Sequence, residues 1–237
     1  EEAMVYTLDN YDILALPWQN ALKAAVDAVG ADRMKDPELA KAVNGILQWD
    51  GRFTKADTAA TIVKFWRLKC ENEIDIVAVA DGLPLTEADQ VRMLDLFQET
   101  LAELKEKYGS AEVPWGDIHV IGRGGKYFPL ESGDFGGGKD KKNQTETVLD
   151  VAAKETPKGS GKYVACNGSG TLMIAFLHKD GIESYSLVAW GQSADPNSPH
   201  YVDQSEKLYA NRQMKPTWFK KEDLLQNLES ERTFDLP

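Results

Sequence analysis

Apolar positions recur at steps of three and four through the first half of the chain and at shorter, denser runs through the second. After Pro17, Trp18, Leu22, Ala25, Val26 and Val29 form one helical stripe, with Gly30 placed for a left-handed cap. Asp36 and Pro37 read as an N-cap and first helical residue ahead of Leu39, Val43, Ile46 and Leu47. A third helix is expected from about Thr54, whose hydroxyl would cap it, with Asp57 in the first turn and Ala59, Ile62, Val63 and Trp66 facing inward. The clearest helix follows Thr86, carries Val91, Leu94, Phe97, Leu101, Leu104 and Tyr108, and stops at Gly109. Its charged residues, Glu99, Glu103, Lys105 and Lys107, read as a solvated face.

From Ile118 the period changes. Ile118 to Ile121 and Lys162 to Ala165 are short apolar runs broken by Gly and Pro. Residues 171–178 and 182–190, separated by Lys179-Asp180-Gly181, read as a hairpin in which Asp-Gly supplies the positive φ of a tight turn. The first arm, with Leu172, Met173, Ile174, Ala175 and Phe176 in succession, is expected to be covered on both faces. Asp203 is placed to cap a short helix, and a last helix is expected over Glu222 to Leu228. The fold class is therefore α+β: a helical subdomain, residues 1–112, followed by a strand-rich portion, residues 113–237.

Charge follows the same division. The chain carries 27 Lys plus Arg against 38 Asp plus Glu, a net charge of −11, and most of the excess lies before residue 113. That balance argues against a nucleic-acid partner. No apolar run approaches the roughly 20 residues of a membrane helix, and the opening Glu-Glu-Ala-Met-Val lacks the basic and apolar regions of a signal peptide. Two cysteines, Cys70 and Cys166, read as buried thiols, though a disulfide between them stays open.

Familiar chemistry can be searched for and is not met. Gly133 to Lys139 has the outline of a phosphate loop, but Asp140 stands where a Mg²⁺-holding hydroxyl is required. The stretch around it, Glu131 to Thr147, reads as a Gly- and Lys-rich surface loop. His119, His178 and His200 have no metal-ligand spacing, so no metal and no cofactor are expected. Ser169 lies between glycines without a strand-turn-helix elbow. Asn143-Gln-Thr145 and Asn167-Gly-Ser169 match a glycosylation triplet, which matters only in a secreted eukaryotic protein.

Three ordered segments carry a resemblance. Leu47-Gln-Trp-Asp-Gly-Arg-Phe53, followed by Asp57 to Ile62 and Phe65-Trp66-Arg67, resembles the helical segment of the penicillin acylase (penicillin amidase) family. Trp115-Gly116-Asp117-Ile118-His119 resembles the family's entry into its late strands. Gly191-Gln192-Ser193, Asp195-Pro196 and Ser198-Pro199-His200-Tyr201-Val202-Asp203-Gln204 resemble its G-Q-S-x-x-P-x-S-P-H-Y-x-D-Q segment, and Pro216-Thr217-Trp218-Phe219 resembles the family's ending. The wording of the G-Q-S motif is most similar to the acyl-homoserine lactone acylase branch.

The resemblance implies an N-terminal nucleophile hydrolase with a layered αββα fold, in which self-cleavage exposes a Ser as the first residue of the large subunit. Its α-amine, with a pKa near ~8, acts as its own base, and an Asn side chain with backbone N–H groups holds the oxyanion. In the family's order that Ser, the Asn and the Ca²⁺ ligands all precede the helical segment seen here. Residue 1 is Glu, so no catalytic residue is carried over.

The expectation is the C-terminal part of a large (β) subunit of an amide hydrolase, inactive alone. It would complete the fold with the N-terminal remainder of the same acylase (α subunit and catalytic half of the β subunit) as partner. The substrate would be a small-molecule amide such as a β-lactam antibiotic, a homoserine lactone quorum-sensing signal or a lipopeptide, met in the periplasm or outside the cell. An exposed apolar face is expected where the rest belongs; a stand-alone binding module is the alternative and would have a fully covered sheet. An independent enzyme built on His200 and Asp203 lacks a nucleophile.

Gln192, Ser193, His200, Tyr201, Asp203 and Gln204 are candidates for supporting a pocket. On residue chemistry alone, His200 and Tyr201 are expected to satisfy buried backbone groups, and Trp49, Asp50 and Trp66 to provide packing and a buried cap. Arg52 or Arg67 is within local reach of Asp50 or Asp57.

Overall fold

A computed structural model describes residues 2–133, 147, 149, 151–231 and 233. The phosphate-loop outline, most of the Gly- and Lys-rich stretch and the Asn143 triplet lie outside the described residues. Helices fill the first half: α1 (Glu2–Thr7), α2 (Ala15–Val29), α3 (Pro37–Gln48), α4 (Thr58–Cys70), α5 (Ile76–Ala80), α6 (Glu87–Tyr108) and the single turn α7 (Trp115–Ile118). Their boundaries follow local chemistry. Asp36 accepts from the N–H groups of Glu38 and Leu39, and Thr86 from that of Asp89. Gly109 at φ 80° ends α6 in the left-handed region.

Two helix expectations are corrected. The third helix starts at Thr58, not near Thr54, because Asp57 itself is the cap and accepts from Ala59 and Ala60; Ala60 rather than Ala59 is then buried beside Ile62, Val63 and Trp66. Gly30 caps α2 with φ −95°, so the left-handed form is not used. A Cβ there would lie 2.7 Å from Val26 backbone, and close approach is what the glycine permits.

The helices share a core built on aromatic rings. Trp66 meets Trp18 and Phe97 edge to face, each at 5.2 Å, and its indole N–H reaches Met93 O at 3.1 Å. Each such ring pair adds about 1 kcal/mol beyond the area it buries. Trp115 and Ile118 extend this core to the start of the strands.

Strands β1 (His119–Arg123), β2 (Lys126–Pro129), β3 (Val151–Glu155) and β4 (Tyr163–Gly168) form one sheet in the order β2-β1-β4-β3, with β1 and β4 parallel and the other pairs antiparallel. Strands β5 (Thr171–His178), β6 (Gly181–Val188) and β7 (Lys215–Pro216) form a second, antiparallel sheet. Leu8, Ile121, Leu130, Leu149, Val151, Leu187 and Tyr209 make a core between the two sheets. The short helices α8 (Asp203–Lys207) and α9 (Lys221–Gln226) follow β6 and β7, respectively.

The hairpin forms where expected, with two differences. Its two-residue loop is Lys179-Asp180, one residue before the Asp-Gly pair, and neither residue takes a positive φ. Coverage of both faces fails as well. Leu172 packs on the second core, but Met173 is 64% exposed, Leu177 80% and Ile182 55%. Only the inner face has the other sheet against it among the described residues, and an apolar run cannot reveal which of its faces is roofed.

Cys70 is buried as expected and Cys166 is not: both are free, and Cys166 is exposed near the end of β4. No helix among the described residues is long and apolar enough to cross a membrane.

Candidate functional site

Beyond Val188 the chain leaves the sheet, folds through an irregular loop and enters α8, and this is the segment singled out in the sequence. Turn chemistry shapes the loop. Ser193 Oγ accepts from Asp195 N at 3.2 Å, Asp195 Oδ1 from Asn197 N at 2.9 Å, and Ser198 Oγ from His200 N at 3.1 Å. Ser193 N donates to His200 O at 3.1 Å and closes the neck. Gly191 sits in that neck: a Cβ there would lie 2.1 Å from His200 O and 2.6 Å from Asp203 Oδ1.

Arg123, at the end of β1, clamps the loop. Its guanidinium donates to Ser193 O and, from Nε at 3.2 Å and Nη2 at 2.9 Å, to Tyr201 O. It also lies 4.1 Å from the Tyr201 ring centroid and 5.3 Å from that of Trp190. Five fixed donors and a planar face suit Arg to this task. Gly124 follows at φ 61°, and a Cβ on it would come within 2.8 Å of the Tyr201 hydroxyl. Sequence reasoning passed over Arg123 and Trp190. The one local signal was Gly124-Gly125, both with positive φ, which turns β1 into β2 and leaves Arg123 at the strand end.

Each candidate residue can now be placed. Gln204 is buried, and its Oε1 accepts from Val188 N at 3.0 Å while its own N–H reaches Trp190 O at 3.0 Å. Asp203 is the first residue of α8 rather than its cap, because the helix begins one residue earlier than expected and Val202 takes the cap position; its Oδ2 is engaged by His200 Nδ1 at 2.8 Å. Its Oδ1 is buried with no hydrogen-bond partner among the described residues. His200 Nε2 meets Glu229 Oε2 at 3.0 Å. The imidazole thus binds two carboxylates rather than backbone groups, and Asp203 first, then Glu229, raises its pKa above the usual 6.5. Tyr201 serves as a platform for Arg123 rather than as a hydroxyl donor to backbone. Gln192 is exposed.

None of the six candidates lines the cavity nearest to them among the described residues. The loop they hold does: Trp190 and Gly191 border a space of about 370 Å³ with Cys166, Asn167, Ser169 and Ile121, between the ends of the two sheets. With both ring nitrogens committed to carboxylates, His200 has none left to activate a nucleophile. Among the described residues no group of His, Cys, Asp and Glu is arranged to hold a metal.

The helical motif residues are likewise structural, with other partners than local spacing offered. Arg52 pairs with Asp9, and Arg67 with Asp12, not with Asp50 or Asp57. Asp50 is exposed and accepts from Arg52 N at 2.9 Å, so it caps a surface turn and not a buried one. Trp49 and Trp66 are buried as expected. His119 is buried, its Nδ1 3.0 Å from Leu130 O and its ring stacked 4.6 Å from that of Trp115.

The family model for penicillin amidase matches residues 1–226. The chain belongs to the penicillin amidase family. Its relatives include an acyl-homoserine lactone acylase PvdQ of Pseudomonas syringae pv. syringae (strain B728a), 27% identical over 181 residues that make up 71% of this chain and 22% of that protein. The same-named acylase of Pseudomonas syringae pv. tomato is 26% identical over 78% of this chain and 24% of its own length. That of Pseudomonas savastanoi pv. phaseolicola is 32% identical over 41% of this chain and 11% of its own. This chain therefore spans less than a quarter of the relatives it matches. The α+β order of helices before strands agrees with membership of a family whose fold is that of the N-terminal nucleophile hydrolases.

Proposed function

We propose that these residues form the C-terminal portion of the large subunit of an acylase that cleaves an N-acyl group from an amine, with its catalytic Ser elsewhere in a longer polypeptide. The observation that carries this reading is a match along 226 residues to the family, set against relatives more than four times as long as the stretch they share with it. The exposed apolar face of β5 supports it, because a complete domain would cover that face. The substrate class is a small-molecule amide: an acyl-homoserine lactone, in keeping with the names of the relatives, or a β-lactam or lipopeptide.

In this reading residues 1–112 are a helical subdomain and residues 113–237 the strands that complete the catalytic domain. The loop from Gly191 to Gln204, held by Arg123, fixes the rim of the cavity between the sheets, so Gln192, Ser193, His200, Tyr201, Asp203 and Gln204 support the site without touching substrate. The enzyme works in the periplasm or outside the cell.

The test is to isolate the native polypeptide that contains Glu-Glu-Ala-Met-Val-Tyr, sequence its N-terminus and assay it against acyl-homoserine lactones and penicillins. A mature chain beginning with Ser and releasing free amine is the expected result, with no turnover by the 237-residue chain. Turnover by the 237-residue chain, or a native polypeptide no longer than it, overturns the reading.

A further inference from the structure

We propose that His200 is a pH-operated latch that holds the C-terminal segment, residues 218–229, to the loop of residues 191–204 while its ring is protonated and lets that segment go when the ring is neutral. The ring sits between two carboxylates, with Nδ1 2.8 Å from Asp203 Oδ2 and Nε2 3.0 Å from Glu229 Oε2. An ionised carboxylate only accepts, so both nitrogens must donate, and only the imidazolium carries two N–H groups. The neutral ring keeps one proton and serves one carboxylate; the other then faces a nitrogen lone pair.

Burial decides which carboxylate loses its donor. The Asp203 side chain is 19% exposed, and its Oδ1 already has no hydrogen-bond partner among the described residues. Stripping Oδ2 as well would leave a largely buried carboxylate without a donor. The Glu229 side chain is 73% exposed, and water replaces the ring there at little cost. The remaining proton therefore stays on Nδ1 with Asp203, and the contact that breaks is the one to Glu229.

That contact is what ties the segment down. Among the described residues, the contact of His200 with Glu229 is the one hydrogen bond or ion pair that joins residues 218–231 to the rest of the chain. Packing adds little: α9 has no buried residue, and Phe219, Leu224, Leu225 and Leu228 are each more than half or about half exposed. A helix of six residues is far too short to hold its form alone. Thr217, whose N–H donates to Ser184 O at 2.8 Å, stays on the sheet, so release moves the residues beyond it and leaves β7 in place.

The loop itself stays closed through the change. Ser193 N on His200 O and the Arg123 guanidinium on the Ser193 and Tyr201 carbonyls hold its neck, and none of these bonds involves the imidazole. The other charged groups of the loop and of the strand packed on it are engaged elsewhere, Lys126 of β2 with Pro196 O at 3.3 Å and with the Tyr201 ring, and Asp195 with Asn197 N. Asp203 on α8 and Glu229 on the tail are the charged groups that act on the ring, and they raise its pKa above 6.5, which sets the release on the neutral-to-alkaline side. The latch is independent of the reaction the chain serves.

Hydrogen exchange of the native polypeptide that contains these residues, read by mass spectrometry between pH 5.5 and 9, tests this, with the protection of each peptide taken relative to its unstructured form at the same pH. Protection over residues 219–228 is expected to fall roughly two- to fivefold across that range, the span an exposed charge pair supports, while peptides covering residues 203–211 keep theirs. In Glu229→Ala the segment is expected to be as poorly protected at pH 5.5 as the parent is at pH 9. Protection that does not change with pH in the parent, or a fall that persists in Glu229→Ala, overturns the latch. An equal loss over residues 203–211 overturns it too, by making the change one of the whole loop.

Discussion

Lys107, in the last turn of α6, reaches Glu155 at the end of β3 with its ammonium 2.8 Å from the carboxylate and within 6.0 Å of the Phe65, Tyr108 and Tyr163 ring centroids. The contact ties the helical half to the sheet. Lys107 first, then the N–H groups of Gly159 and Gly161, hold the Glu155 carboxyl down to about 2 from 4.5. A carboxyl with a depressed folded pKa stabilises the fold above its unfolded value and loses that contribution as pH falls through the folded one. Glu155→Gln should therefore be less stable than the parent above about pH 4.5, with the difference shrinking toward pH 2. Urea midpoints across pH 2 to 7 measure this; a pH-independent difference would remove the ion pair from the account.

Arg67 and Asp12 form a second, fully enclosed pair, at 1% and 0% side-chain exposure, with the guanidinium 5.2 Å from the Trp18 ring centroid. Removing one partner leaves the other charge buried, a loss of about 3–5 kcal/mol. Arg67→Met is expected to lower stability by that amount, and Arg67→Met combined with Asp12→Asn by less than the sum of the single changes. Additive losses in chemical denaturation would show that the two groups do not act as a unit.

The loop clamp makes a sharper distinction. Arg123→Lys keeps the charge but loses the paired donors to Tyr201 O and Ser193 O and the flat face against Tyr201. The expected result is a loss of about 1–3 kcal/mol together with faster proteolytic cleavage within residues 191–199, while Lys126→Arg leaves cleavage unchanged. Cleavage at the parental rate in Arg123→Lys would mean the loop is held by its own turns.

What the sequence made legible was local. Asp36, Thr86 and Gly109 act within four residues of themselves, and the caps they form are where residue type and spacing placed them. The hairpin of β5 and β6 was visible because its turn is short. Contacts that join distant segments left no such trace: Arg123 and Tyr201 are 78 positions apart, and Arg67 and Asp12 are 55. Strand β3, Val151-Ala-Ala-Lys-Glu155, was missed because it is short and only its first three residues are buried. Whether an apolar face is covered is decided by another element altogether, which is why Met173 and Leu177 defeated the expectation of a roof.

The two thiols should separate cleanly. Burial pushes the Cys70 thiol far above its ordinary range, and Cys166 stands exposed. The thiolate is the reactive form, so a disulfide reagent at pH 8 should modify one thiol per chain rapidly and the second only on unfolding. Cys166→Ser is expected to abolish the rapid phase. A rapid phase that survives this change would place Cys70 within reach of solvent.

His200 offers the other titration, of opposite sign. Asp203 and Glu229 raise its pKa above 6.5, and a group with a raised folded pKa contributes stability below its unfolded value and loses it as pH rises through the folded one. The bridge between α8 and the tail after α9 should thus be firm in mild acid and weaken above neutrality. Both carboxylates act in the same direction, so Asp203→Asn and Glu229→Gln are each expected to lower the ring pKa, as read from the imidazole proton shifts between pH 5 and 9. No change in one variant would remove that carboxylate from the account, and no change in either would mean that neither holds the ring in solution.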